Sequence, residues 1–387
     1  MALTFFFQAA IRPWRLTGGF PEPLVRVTQS EAFVEWIGRV MRSAGKIGPT
    51  FYLLGLAGAL LFTVLLIREG VYDVVRAVAA AGWWLVFIPF FHLLPLFLDS
   101  LEWWILFPEE DRPRLRTTFW ARFLGESFSN LVPAAQVGGD IVRARLMVLY
   151  GTPVAVSAGT VLVDITISVF TQTFFTLFGL TLLIVVTGRT NLLVPTLVGA
   201  PFAVLAVAGC YFVQRIGMFR LFGAIVSHCA KDERCRNLAG KSGELDQTLR
   251  QIYSRVGAVA ASCTVTMVSF VTGSVEVWIA LHAIGVPASF KHALILECVG
   301  QGIQTALCLV PGALGVREGG YVAVGGLLGI PGEVAFALAL IRRVRELVLG
   351  LPGLFAWQMV EGGRLLRRYG LRTDPREVSP STGGGSC

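Results

Sequence analysis

Asp140 and Arg143 lie three residues apart, a spacing that sets a carboxylate and a guanidinium on one helical face within pairing reach. Gly138 and Gly139 stand directly before them, where missing side chains let a ligand or another backbone come close. The same stretch supplies Glu126, Asn130 and Gln136. Arg143 and Arg145 carry the planar fork that grips phosphate or carboxylate in two places. A helix starting after Pro133 would aim free N–H groups at such an anion. For Arg145, a side chain reaching to the lipid headgroups is the simpler account. A second constellation holds Glu297, Gln301, Gln304, Arg317 and Glu318 around Pro311, Gly312 and Gly315. Further ionisable residues stand in long apolar surroundings: Asp99, Glu102, Asp164, Glu276, Arg342, Arg343, Arg345 and Glu346. His92, Asp99 and Glu102 fall at i, i+7 and i+10, roughly one helical face, and are candidates for proton relay. Asp164 is expected to pair with Arg342 or Arg345, since an unpaired carboxylate in a bilayer is expensive. No nucleophile–base arrangement, Walker loop or dinucleotide fingerprint occurs, and no catalytic residue, metal or other cofactor is expected.

The elements that must position these residues belong to a membrane. Of 387 residues 54% are hydrophobic and 15% charged, and the mean hydropathy is +0.67. A soluble domain carries roughly a quarter charged residues. Here the apolar runs reach the ~20 residues that span a ~30 Å hydrocarbon core as helix, without the two-residue alternation of an outer-membrane barrel. Helices are expected at 51–67, 81–107, 153–187, 192–213, 257–285 and 332–361. Lys and Arg in their connections divide 22 against 4 between alternate sides, a positive-inside pattern with both termini in the cytoplasm. The +8 net charge therefore points to membrane topology and not to nucleic acid. The seven cysteines form no CxxC pair, and Cys229 and Cys235 beside His228 are too few for a metal site.

Segments 119–150 and 293–330 are too polar and too broken by Pro and Gly for simple spans. Each is expected to be a broken helical hairpin entering and leaving on one side, tolerated at membrane depth where protein or water satisfies the backbone. Residues 68–80 read as a short interfacial helix. The second half repeats the first. Ser274–Ile279 matches Ser100–Ile105 at an offset of 174, and Leu309-Val310-Pro311 matches Leu131-Val132-Pro133 at 178. Pro331–Val334 echoes Pro153–Val156, again at 178. With each hairpin returning to its own side, repeats 81–187 and 257–361 run in opposite directions. Paired broken segments in inverted halves are the sequence mark of a transporter's binding site. The expected fold is an all-α polytopic membrane protein of two inverted repeats, with six full spans and two hairpins. Residues 1–50 form a cytoplasmic N-terminal segment, 51–361 the transmembrane domain and 362–387 a flexible cytoplasmic tail.

The run ARFLGESFSNLVPAAQVGGDIVRARL at 121–146 and PGALGVREGG at 311–320 resemble the flippase-like transmembrane domain of lysylphosphatidylglycerol synthases. Within that superfamily the chain is most similar to the hopanoid-biosynthesis-associated membrane proteins. The resemblance spans about residues 50–365. It implies a multi-pass protein of the bacterial inner membrane, handling lipid and moving a headgroup between leaflets. In the bifunctional synthases a soluble aminoacyl-transferase domain follows; only 26 residues follow here, so that activity is expected to be absent. The partners implied are membrane lipids, hopanoid or phospholipid, and hopanoid-biosynthesis enzymes. On this reading Glu126, Asn130, Gln136, Asp140, Arg143, Gln304, Arg317 and Glu318 bind the headgroup. Asp99, Glu102, Asp164, Glu276, Arg342 and Arg345 couple or gate. The alternative is a non-transporting scaffold for those enzymes.

Overall fold

The computed structural model describes residue 60 and residues 63–131, 136–188, 233–306 and 315–368; side chains at 136–137, 233–242, 304–306, 316 and 358–368 are outside that description. The expected span at 192–213, most of that at 51–67, residues 1–50 and most of the tail lie outside the described residues. Every regular element among those described is helical: α1 (Val71–Ala80), α2 (Trp84–Leu106), a 3₁₀ turn (Glu109–Asp111), α3 (Leu115–Leu131), α4 (Gln136–Leu149), α5 (Val154–Thr187), α6 (Glu233–Ser254), α7 (Val256–Ala283), α8 (Phe290–Ala306), α9 (Val316–Leu327) and α10 (Gly332–Arg368).

Among the described residues three helices, α2, α5 and α7, are long and apolar enough to cross a membrane. Helix α5 has 34 residues, about 50 Å at ~1.5 Å per residue, so it leans within a ~30 Å core or projects beyond it. These helices are arranged with their polar residues inward. In α7, Ser262, Thr266, Ser269 and Glu276 are buried while Val256, Val268, Val271 and Trp278 are exposed. In α5, Thr160, Asp164, Thr171 and Gln172 are buried while Phe170, Phe174, Phe178 and Val185 face out. A helix in water hides its apolar stripe. The reverse pattern is what lipid selects, because the buried polar groups then satisfy each other away from hydrocarbon.

Each of the two segments expected to be broken contains two helices among the described residues. Helix α3 stops at Leu131 and α4 begins at Gln136, and the two pack against each other. Their approach is close enough to exclude side chains: a Cβ on Gly125 would stand 2.8 Å from the Gly139 carbonyl oxygen, and one on Gly139 would overlap the Gly125 carbonyl and the Ser129 hydroxyl. Helix α8 stops at Ala306, and α9 begins after Gly315, whose φ of 75° suits glycine; α8 and α9 also pack together. Residues 132–135 and 307–314, with Pro133 and Pro311, lie outside the described residues.

Contacts between helices come in matched sets. Helices α2 and α7 pack on each other; α2–α3 is matched by α7–α8, α3–α4 by α8–α9, and α4–α5 by α9–α10. The exchanged contacts match too: α3 packs on α10 and α8 on α5, while α1 packs on α10 and α6 on α5. At the α2–α7 contact the Ser269 hydroxyl donates to the Pro95 carbonyl at 3.3 Å, and these residues are 174 apart. Apolar side chains collect in two clusters. One holds Ile88 of α2 with Val277, Leu281, Leu296 and Leu338; the other holds Trp103 of α2 with Leu124, Met147, Val163 and Ile252. Between Ile88 and Trp103 lie His92 and Asp99, so a polar layer separates the two clusters along α2.

Candidate functional site

Each helix around the polar layer contributes side chains at helical spacing. Helix α2 gives His92, Pro95 and Asp99; α3 gives Arg122, Glu126, Ser129 and Asn130; α7 gives Ser269, Gly273 and Glu276. Together with residues of α4, α8, α9 and α10 they enclose a cavity of about 270 Å³. Three or four residues per turn set every such stripe on one face. Both hairpins therefore open onto one space, with Gly139, Asp140 and Arg143 from the first and Glu297, Gln301 and Arg317 from the second.

The charged groups of the wall form three linked sets. In the first, Arg143 meets Asp140 at 2.7 Å and also pairs with Asp164. Arg122 meets the same Asp164 at 3.0 Å and Asp99 at 3.7 Å. The Arg143 guanidinium lies over the Trp103 ring, 5.0 Å from its centroid, adding a cation–π contact. In the second set, Arg342 pairs through both nitrogens with Glu297 and donates to the Tyr321 hydroxyl at 2.5 Å. Gln301 donates to Glu297 at 2.9 Å, and Arg317 meets Glu346 at 2.5 Å. The third set sits where the halves meet. Arg345 donates to Glu276 at 2.5 Å, and the ring of His92 lies 2.8 Å from Glu276 and 3.1 Å from Glu126.

Several expected site residues are in this wall: Glu126, Asn130, Asp140, Arg143 and Arg317, with Asp99, Glu276, Arg342 and Arg345. The side chains of Gln136 and Gln304 lie outside the described residues. Glu318 does not line the cavity; it is fully buried and holds Arg343 at 2.7 Å. Glu102 is buried behind the wall and accepts a bond from the Ser262 hydroxyl at 2.8 Å. Asp164 pairs neither with Arg342 nor with Arg345 but with Arg122 and Arg143 of its own half. Its helix α5 carries it against α3 and α4, whereas Arg342 on α10 faces Glu297 of α8. Sequence reasoning gave Arg122 no role. Arg122 stands one turn before Glu126, and this spacing, which sets both on one helical face, was the available signal.

The chain matches the lysylphosphatidylglycerol synthase TM region family over residues 52–353. A UPF0104 membrane protein of Methanothermobacter thermautotrophicus is 25% identical over 312 residues, covering 76% of this chain and 88% of that relative. No solved structure matches. With most of its length inside the family match, the chain belongs to the lysylphosphatidylglycerol synthase TM region family and is a multi-pass membrane protein.

Proposed function

We propose that this protein is a lipid translocator, or the membrane component of a lipid-transport system, built from two inverted repeats. The observation that carries the reading is one polar cavity walled by helices of both hairpin segments. Its volume falls just below the ~300–1,000 Å³ of ligand pockets, the size of a headgroup and not of a whole lipid. The acyl or polycyclic body would lie against the apolar outer faces of the helices. The matched helix contacts, and the Ser269–Pro95 bond between residues 174 apart, support a twofold relation between the halves. Running in opposite directions, such halves present one site to either leaflet in turn. A bacterial inner membrane is the proposed setting. The link to hopanoids rests on the likeness of the 121–146 motif and extends to the partners, hopanoid lipids or hopanoid-synthesis enzymes.

Arg143 and Arg317 are the proposed headgroup contacts, one from each hairpin. Both are almost fully buried and already hold carboxylates, Asp140 and Asp164 for Arg143 and Glu346 for Arg317. A headgroup must therefore exchange with these acids, which favours one offering an anion or several hydroxyls. The scaffold reading draws on the same pairing, since charges that neutralise one another specify packing without moving anything. Purified protein in vesicles carrying a tagged phosphatidylglycerol or a tagged hopanoid separates the two. A translocator moves tagged lipid between leaflets. Arg143→Ala and Arg317→Ala lower the rate about tenfold or more, equivalent to ~1.4 kcal/mol of lost stabilisation. Arg143→Lys, which keeps the charge and loses the fork, falls between. Unchanged lipid distribution in both Ala variants refutes these assignments, and no movement by the wild-type protein favours the scaffold.

A further inference from the structure

His92 is placed so that its ring can be satisfied in two protonation states. Its Nδ1 lies 2.8 Å from Glu276 Oε2 and 2.9 Å from Arg345 Nη1. The carboxylate there only accepts and the guanidinium only donates, so one nitrogen has an alternative partner for each state. Its Nε2 lies 3.1 Å from Glu126 Oε1, a position that calls for an N–H. The neutral ring, with its proton on Nε2, donates to Glu126 and accepts from Arg345. The charged ring donates to Glu126 and Glu276 together, and Arg345 keeps its bond to the other oxygen of Glu276 at 2.5 Å.

The surroundings have room for the extra charge. The cavity wall carries six carboxylates, those of Asp99, Glu126, Asp140, Glu276, Glu297 and Glu346, against five arginines. With Asp164, which holds Arg122 and Arg143, the acids outnumber these arginines by two, so a proton on His92 brings the set closer to neutrality. Groups reaching the ring come from three helices packed on α2: Glu126 from α3, Glu276 from α7 and Arg345 from α10; Arg122, Arg342 and Glu346 line the same cavity. Helix α5, the remaining neighbour, presents Asp164, which Arg122 and Arg143 already hold. Asp99 follows on α2 itself and faces Arg122 at 3.7 Å.

We propose that the cavity contains a proton-binding site on His92, which gains a proton on Nδ1 as that nitrogen exchanges Arg345 for Glu276, and that this step is coupled to lipid movement. The proton comes from water in the cavity and adds to the ring lone pair; no other bond is made or broken. Because Glu126 belongs to the first hairpin and Glu276 and Arg345 to the second half, the proton changes the bonds that tie the halves together. The coupling to lipid rests on the translocator reading, whereas the proton site does not.

The site is tested on the full chain in lipid nanodiscs, with His228, His282 and His292 replaced by Gln so that one labelled ring remains. Nitrogen magnetic resonance is recorded from about pH 5 to pH 10, a window wide enough for a histidine with carboxylate neighbours to change charge. The expected result is a reversible change from a ring protonated on Nε2 alone to one protonated on both nitrogens. In Glu276→Gln the change moves to lower pH. A ring that stays in one form across the range in the unsubstituted site, or a neutral form protonated on Nδ1, overturns the site. For the coupling, vesicles with tagged phosphatidylglycerol are given a pH difference across the membrane. The difference is expected to alter the wild-type rate several-fold and to leave His92→Gln unaffected. A titrating ring with a gradient-independent rate overturns the coupling alone, and no lipid movement under any condition overturns the translocator reading while the resonance result still decides the site.

Discussion

Among single residues, Asp164 carries the most consequence, because two arginines share it. Removing a partner from a buried ion pair leaves an uncompensated charge and typically costs about 3–5 kcal/mol. Asp164→Asn is therefore expected to lower the thermal midpoint of the detergent-solubilised protein severely, since Arg122 and Arg143 both lose an anion. Arg122→Gln should cost less, because Asp164 keeps Arg143. Unfolding followed by circular dichroism ranks the two, and equal or reversed losses would show that Asp164 is not the centre of this set. The pairing of Asp140 with Arg143 was legible from their three-residue spacing. The partner of Asp164 was not. Aligning the repeats sets Asp164 opposite Arg342, but a twofold relation brings equivalent residues into contact only near its axis. Pro95 and Ser269 meet at the α2–α7 contact, whereas Asp164 finds its cations on the helices beside it.

At the scale of elements, the hairpins were the most legible part of the fold. Pro and Gly cluster in two otherwise helix-like segments, and the described helices lie on either side of them: α3 and α4 in the first, α8 and α9 in the second. What the chain could not announce is how tightly the arms pack. The crossing of α3 and α4 depends on Gly125 and Gly139, and nothing in the order of residues tells a packing glycine from one left for a ligand. Gly139→Ala drives a methyl group into the Gly125 carbonyl and the Ser129 hydroxyl, and overpacking of this kind costs about 1–3 kcal/mol. Gly257 in α7 has open space where its Cβ would stand, so Gly257→Ala should be neutral or stabilising by up to about 1 kcal/mol. Thermal unfolding of the two variants in one detergent checks the contrast. Loss of stability in both would mean that the response is general to helix glycines and not a property of the crossing.

Across the whole molecule the two halves share an arrangement but not its signs. In the first half α5 supplies the acid, Asp164, and α3 the base, Arg122; in the second α10 supplies the base, Arg342, and α8 the acid, Glu297. The match of helix contacts, combined with opposite charge, explains why apolar and Pro/Gly positions align between the halves while ion partners stayed hidden. It also leaves orientation as the property on which the transport reading depends, since helix contacts match equally well for parallel and inverted halves. Basic residues decide between them by expectation: the connection at 108–118 carries three arginines, and that at 286–292 carries one lysine. The first is then cytoplasmic and the second on the opposite side. Glu110 is exposed in the 3₁₀ turn before α3, and Pro287 is exposed in the turn before α8, so each reports on the entrance of one hairpin. In a variant lacking the native cysteines, Glu110→Cys should react with an impermeant thiol reagent only after cells are opened, and Pro287→Cys should react on intact spheroplasts. Labelling of both from the same side would make the halves parallel, and one cavity could then no longer be offered to each leaflet by exchanging the roles of the two hairpins.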